Sequence, residues 1–247
     1  MKMIAIKYCI LFLLIFSLAG LSAKPNKIND IYLIVYTTKS GNTGHVGIAV
    51  DNYRVLIRDT IINKITVSRY DTVKDNTLTY YDFWGPPTIN WDQHDQDLPG
   101  RYYKLPRSSA EEKLTPQYFL TKGLPHSYDY PCDALIRIGT TPAKDYRLKE
   151  IAEEVQKEKT SFNTRRYNCT DYILYCLNRL FNTNLEAKEY IPFFWSSTPN
   201  KFYKVITTSL TVDIIKAAGP EVNISFIKGR IINTVLLNQL INHEKSN

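Results

Sequence analysis

Short runs of β-branched and aromatic residues, separated by turn-forming residues, fill the chain from residue 31 to residue 84. The runs that predict strands are residues 31–37, 45–50, 54–60, 64–70 and 77–84. Most of the connections between them are too short for parallel crossovers, which need about a dozen residues, so neighbouring strands are expected to be antiparallel. The first third of the chain therefore predicts a β-meander.

Two patterns after residue 140 indicate amphipathic helices. Residues 143–159 place Tyr146, Ile151 and Val155 on an apolar side, opposite a charged face. From Asn168 onward, apolar residues recur at helical spacing, at Tyr172, Ile173, Cys176, Leu177, Leu180 and Phe181. The predicted fold class is α+β, in which an antiparallel sheet, meander or barrel-like, packs against the helix that begins near Asn168.

The N-terminus has the three-part layout of a secretory signal peptide over residues 1–23. Two lysines precede an apolar run from Tyr8 to Leu18, and small residues follow up to Ala23. The run is shorter than the ~20 residues of a membrane span, although an uncleaved anchor is the alternative. We expect export to the periplasm, the outer envelope or the extracellular space. Residues 24–247 contain no linker, so they are expected to form one domain with a C-terminal extension from about residue 183.

Three cysteines remain after residue 23, namely Cys132, Cys169 and Cys176. An odd number in an exported chain leaves at least one unpaired. A disulfide between Cys132 and Cys176 would leave Cys169 free, and the sequence does not decide this pairing. Cys169 falls in the first turn of a predicted helix, with Asn168 as its cap, where free N–H groups and the helix dipole favour a thiolate.

Charge and composition argue against nucleic acid as a partner. The net charge is +7, but the basic residues are scattered and form no stripe interleaved with aromatic residues. This charge permits a mild attraction to anionic envelope surfaces. No motif for a cofactor is present.

The four histidines differ in how well their positions in the sequence suit a catalytic or metal-binding role. His45 begins a predicted strand, where a side chain reaches the rim at which loops and helix ends meet. His94 lies in the polar loop of residues 85–100, and His243 lies in the tail. His126 stands near Cys132, but these ligands at loose spacing are a weak zinc signal, and we expect no metal.

The segments "GHVGIAV" and "YNCTDYI" together resemble the permuted papain-like amidases of the NlpC-type superfamily. In unpermuted members the cysteine helix precedes the "GHVGI" strand, whereas here the strand comes first, as in the permuted branch. The resemblance covers these two motifs and the meander between them, and it does not extend to residues 183–247. It implies that Cys169 is the nucleophile and His45 the base, with a third polar residue that orients the imidazole.

The sequence offers two carboxylates for that third position. Asp59 lies on the strand that follows the His45 strand, which is where the unpermuted branch carries the residue. Asp82 lies at the end of an aromatic strand, where a carboxylate needs a partner. We prefer Asp82, because an antiparallel strand that ends near the start of the His45 strand would bring it beside the imidazole.

The resemblance implies an exported cysteine hydrolase, an amidase or peptidase that acts through a thioester on Cys169. By analogy, the substrate is a cell-wall peptide, and amides or esters of lipids are an alternative that would make the chain a lipid-directed thiol acyltransferase or esterase. A second alternative is a non-catalytic envelope module that uses the same cleft to bind a ligand.

Overall fold

The structure is a computed structural model that describes residues 29–38, 44–62, 65–87, 89, 91–124, 128–191, 194–219, 224–227 and 230–233. The strands are β1 Asn29–Tyr36, β2 His45–Ile62, β3 Ile65–Trp84, β4 Leu98–Pro99, β5 Arg101–Leu105, β6 Ala134–Thr140, β7 Ser161–Phe162, β8 Lys188–Ile191, β9 Phe194–Ser197, β10 Asp213–Lys216, β11 Ile224–Ile227 and β12 Arg230–Asn233. The helices are α1 Pro116–Thr121, α2 Pro142–Glu158, α3 Cys169–Phe181 and α4 Pro199–Ser209, together with a 3₁₀ turn at Trp91–Gln93.

Six strands form the main sheet, in the order β10-β6-β1-β2-β3-β5. Every neighbouring pair is antiparallel. The predicted α+β class with an antiparallel sheet is confirmed at this level. The sheet ends at β10 on one side and at β5 on the other, so it is open, and the barrel-like alternative is wrong.

Two long strands replace the four short strands that were predicted between residues 45 and 84. β2 continues through the expected turn at residues 51–53, and β3 includes both of the predicted runs that follow. A register shift between Asp51 and Tyr53 explains the difference: residue 52 of β2 stands opposite residues 75–77 of β3, and such a bulge absorbs extra residues without ending a strand. Beyond this bulge, residues 53–62 of β2 pair with residues 65–74 of β3, and we call this part of the hairpin the arm.

Strand alternation gives the sheet a buried cluster on each face. Val46, Ile48 and Val50 of β2 face the cluster that includes α2 and α3, whereas Ala49 faces the cluster that includes α1. Cys132 and Cys176 belong to opposite clusters, and both thiols are free and buried, so a disulfide between them is excluded.

The apolar face of α2 differs from the prediction at one position. Ile151 and Val155 are buried as expected, but Tyr146 is 67% exposed. Leu148 and Ala152 are buried instead, and with Ile151 and Val155 they complete a regular helical stripe.

The C-terminal extension supplies part of the described fold. Phe202 and Ile206 of α4 lie in the same buried cluster as α3, and β10 pairs with β6 at the edge of the sheet. None of the helices in the described ranges combines the length and the apolar run that a membrane crossing needs. The expected signal peptide falls outside the described residues.

Candidate active site

Two glycines allow His45 to occupy the start of β2. Gly44 has a φ of 71°, a left-handed conformation that favours glycine, and a Cβ there would lie 2.6 Å from the carbonyl oxygen of Tyr36. A Cβ on Gly47 would lie 2.0 Å from the hydroxyl oxygen of Tyr80. Both glycines of "GHVGI" are therefore required by close approaches around the imidazole.

One carboxylate oxygen of Asp82 contacts three nitrogen or hydroxyl groups. Oδ2 lies 3.0 Å from Nε2 of His45, and it accepts hydrogen bonds from the Tyr80 hydroxyl at 2.9 Å and from Trp84 Nε1 at 2.7 Å. Tyr80, Asp82 and Trp84 share one face of β3 because they are spaced two residues apart. Burial first, and then the charge of Asp82, raise the pKa of Tyr80, so that its hydroxyl stays a donor.

Cys169 is the first residue of α3, and Asn168 caps the helix. The side chain of Asn168 accepts hydrogen bonds from the N–H groups of Thr170 and Asp171, and the side chain of Asp171 accepts one from the N–H of Asn168. This capping box uses the next two N–H groups. Across the described residues, the N–H of Cys169 forms no hydrogen bond, so it remains available to an oxyanion.

The amide nitrogen of Asn168 fixes the start of α3 to its surroundings. It donates hydrogen bonds to the carbonyl oxygens of Thr164 and Ser197 and to the hydroxyl of Ser196. The residue before the thiol is therefore attached to the preceding loop and to β9. These contacts fix the position of Cys169 at the start of α3.

The side chain of Cys169 is close enough to His45 to act on the pKa of the imidazole, both through its charge and through hydrogen bonding. Because Nε2 of His45 is engaged by Asp82, Nδ1 is the ring nitrogen left to interact with the thiol. Burial opposes protonation of the imidazole, but the charge of Cys169 and the hydrogen bonds to Asp82 and Cys169 outweigh it and raise the pKa of His45 to about 9. Trp84 stacks on the ring at 4.0 Å between centroids, which also favours the imidazolium.

A cavity of about 350 Å³ opens beside Cys169. This volume is in the range of small-molecule sites. The loop before the 3₁₀ turn, the segment before α3, and the β8–β9 hairpin supply its apolar walls, which are Ile89, Phe162, Ile191 and Phe194. Among the described lining residues there is no Asp, Glu, Lys or Arg. The buried hydroxyl of Thr170 also lines the cavity and has no hydrogen-bond partner in the described structure.

The structure brings together Cys169, His45 and Asp82, whereas it places Asp59 on the arm and His94 in the wall of the cavity beside Cys169. Asp59 lies on the exposed arm and accepts a hydrogen bond from Ser68 at 2.6 Å. The alternative assignment of Asp59 is therefore wrong, because His45 and Asp59 lie toward opposite ends of the same strand. His94 stacks on Phe194 at 4.4 Å, in the wall of the cavity.

The two other thiols of the described residues contribute nothing to this cluster. Burial raises the pKa of Cys132 to about 11 and the pKa of Cys176 to about 12, so both stay protonated. His126 and His243 fall outside the described residues. Within the described part of the chain, no group of three or more His, Cys, Asp or Glu side chains is arranged to hold a metal ion.

The roles of Tyr80 and Trp84 as hydrogen-bond donors to Asp82 were not predicted from the sequence. The signal that identifies them is the two-residue spacing of Tyr80, Asp82 and Trp84, because it places three polar groups on one face of β3. The cavity walls from β8 and β9 lie beyond the resemblance, which ends before residue 183, but the aromatic segment of residues 191–195 is in itself a signal for contacts with a ligand.

Comparisons of this chain with protein-family models, with curated proteins and with solved structures find no match. The geometry of Cys169, His45 and Asp82 and the cavity beside them are therefore the observations that bear on function.

Proposed function

We propose that this chain is a cysteine hydrolase of the amidase or peptidase type, with Cys169 as nucleophile, His45 as base and Asp82 as the residue that positions His45. One observation carries this proposal: the buried imidazole of His45 lies 3.0 Å from the buried carboxylate of Asp82 and also interacts with the side chain of Cys169, which raises its pKa. The strand-before-helix order supports a permuted papain-like arrangement. Export from the cytoplasm is part of the same proposal.

The residues support a two-step acyl transfer. The thiolate of Cys169 attacks the carbonyl carbon of an amide, and the N–H of Cys169 donates to the oxyanion that forms. The C–N bond breaks as Nδ1–H of His45 protonates the leaving amine, and a thioester remains on Cys169. Water then loses a proton to His45 and attacks the thioester. This step releases a carboxylic acid and restores the thiolate of Cys169 and the protonated imidazole of His45.

The cavity favours a substrate whose acyl group is apolar and uncharged. Its described walls offer aliphatic and aromatic side chains but no charge that would pair with an ionised substrate. An uncharged acyl residue of a cell-wall peptide meets this requirement. A fatty acyl chain meets it too, and this observation keeps the lipid-directed acyltransferase or esterase as the second candidate.

Two measurements on the native protein test the nucleophile. Iodoacetamide is expected to label Cys169 first, with Cys132 and Cys176 as internal controls that react only after denaturation. A p-nitrophenyl ester with a short aliphatic acyl group is expected to release p-nitrophenolate and to add the acyl mass to Cys169, as located by mass spectrometry. Cys169→Ser is expected to lose both signals, and Cys176→Ala is the matched control in the same helix.

The same measurements distinguish the enzyme from the non-catalytic module. A binding module would leave Cys169 unacylated by the ester, and His45→Ala would leave its alkylation rate unchanged. If native Cys169 resists iodoacetamide while the denatured chain labels freely, the assignment of the nucleophile is wrong. Esters with successively longer aliphatic chains then rank the two substrate classes by kcat/KM.

A further inference from the structure

The arm exposes aliphatic side chains at its outer end. Ile61 is 75% exposed and Ile65 is 66% exposed, on either side of the hairpin connection. Val55, Ile57 and Tyr70 are exposed along the same arm. Single exposed apolar residues are ordinary on a protein surface, but a set concentrated on one projecting hairpin marks a contact surface.

The arm is also basic. From residue 54 to residue 71 the sequence has four basic residues, Arg54, Arg58, Lys64 and Arg69, against two acidic ones, Asp59 and Asp71. Arg58 and Arg69 are direct cross-strand partners, a placement that repels unless an anion intervenes. Asp71 lies 3.3 Å from Arg58 and 3.0 Å from Arg69, so one carboxylate serves two guanidinium groups.

The base of the arm lies where the chain enters the described fold. Lys74 pairs with Asp51 at 2.6 Å and with Asp30 at 3.1 Å, and the backbone N–H of Asp30 donates to Asp51. Asp30 belongs to the first two residues of β1, so the N-terminal segment of the chain joins the sheet at this end. His45 lies at the other end of β2.

We propose that the tip of the arm docks on the surface of an anionic lipid bilayer. Ile61 and Ile65 enter the boundary between headgroups and acyl chains, which takes apolar groups to a depth of ~5–10 Å. Arg58 and Arg69 lie three or four residues farther from the tip, about 10 Å along the strands, at the level of the lipid phosphates.

Charge decides between a bilayer and a second copy of this chain. Two arms that packed together would bring two net-positive hairpins into contact, which costs energy. An anionic bilayer offers the opposite charge together with an apolar layer. It therefore pairs with the arginines and buries the isoleucines at the same time, without a conformational change in the arm.

Vesicle flotation tests the proposal. The protein is used in the form in which the host cell exports it. We expect flotation with vesicles of an equimolar mixture of phosphatidylcholine and phosphatidylglycerol, but not with phosphatidylcholine alone, and weaker binding as salt is added. The variants Ile61→Ser/Ile65→Ser and Arg58→Gln/Arg69→Gln are each expected to bind about tenfold more weakly.

Matched variants remove the same groups from other surfaces. Ile214→Ser/Ile215→Ser changes two exposed isoleucines of β10, and Arg107→Gln/Lys113→Gln removes two exposed charges from the loop after β5. Both are expected to bind like the unaltered chain, and the arm variants are expected to keep its melting temperature. Equal flotation with neutral vesicles, equal losses in the control variants, or a dimer that the isoleucine variant dissociates without any vesicle binding would each overturn the proposal.

Discussion

The proton on His45 is controlled by its two hydrogen-bonded neighbours, Cys169 on one side and Asp82 on the other. Asp82 in turn is held by Tyr80 and Trp84, which donate to the same oxygen as His45. The sequence predicts the choice of Asp82 over Asp59, because only a strand end near His45 can deliver a carboxylate. It does not predict the donors to Asp82, since aromatic residues in a strand normally signal packing alone.

Replacement of Asp82 by Asn is expected to lower kcat/KM by about a hundredfold for an anilide with an apolar acyl group. Asp82 raises the pKa of His45, so its removal should also move the alkaline limb of the pH profile to lower pH. A purely structural role would reduce activity without moving that limb. Asp59→Asn, on the exposed arm, is the matched control and should change neither quantity.

The raised pKa of His45 predicts a fall in amide hydrolysis as pH rises through about 9. Above this pH the imidazole has lost the proton that the leaving amine needs, whereas alkylation of the thiol needs no proton from the imidazole. Alkylation by iodoacetamide should therefore not fall in the same range. A p-nitrophenyl ester should also lack the fall in kcat/KM, because its leaving group departs without a proton, and a parallel loss with both substrates would contradict this assignment.

Helix α3 presents Cys169 through its cap rather than through contacts of the thiol itself. The spacing of apolar residues and the cap at Asn168 predict this helix correctly. The strand end that the sequence predicts at residue 50 is wrong, because β2 continues to Ile62. A bulge and a turn have similar residue preferences, and only the pairing with a neighbouring strand distinguishes them.

Asn168→Ala is expected to lower the free energy of unfolding by about 1–2 kcal/mol and to slow the alkylation of Cys169. The first effect comes from the lost cap, and the second from the lost contacts to Thr164 and Ser197. Thr141→Ala removes the cap of α2 and serves as the comparison. It should lower the melting temperature while leaving the alkylation rate unchanged, and equal slowing in both variants would show that general destabilisation is responsible.

In the described fold as a whole, β2 connects two separate surfaces. Its first residue, His45, belongs to the candidate active site, and its far end forms part of the arm. Among the described residues, the side-chain hydrogen bonds and ion pairs of residues 55–72 stay within the arm. The sequence predicts one sheet and its helices. It does not show that β8, β9 and α4 complete the cavity and the core, because their contacts join residues distant in sequence.

Deletion of residues 55–72, with Arg54 joined to Val73 through Asn-Gly, is expected to leave the rest of the fold intact. Arg54 and Val73 are cross-strand partners, and a two-residue Asn-Gly turn fits such a pair. The melting temperature should change by no more than a few degrees, and Cys169 should be alkylated at the original rate. A large loss of stability would show that the arm supports the sheet.

The bulge between Asp51 and Tyr53 has a consequence for how this chain can change over evolutionary time. A slip of one residue in a strand moves each side chain to the opposite face, and for His45 that would break its contact with Asp82. The bulge already holds an irregularity in the pairing of β2 with β3, and it lies between His45 and the arm. Insertions and deletions in the arm can therefore accumulate there, so that its length diversifies among descendants while the imidazole keeps its orientation.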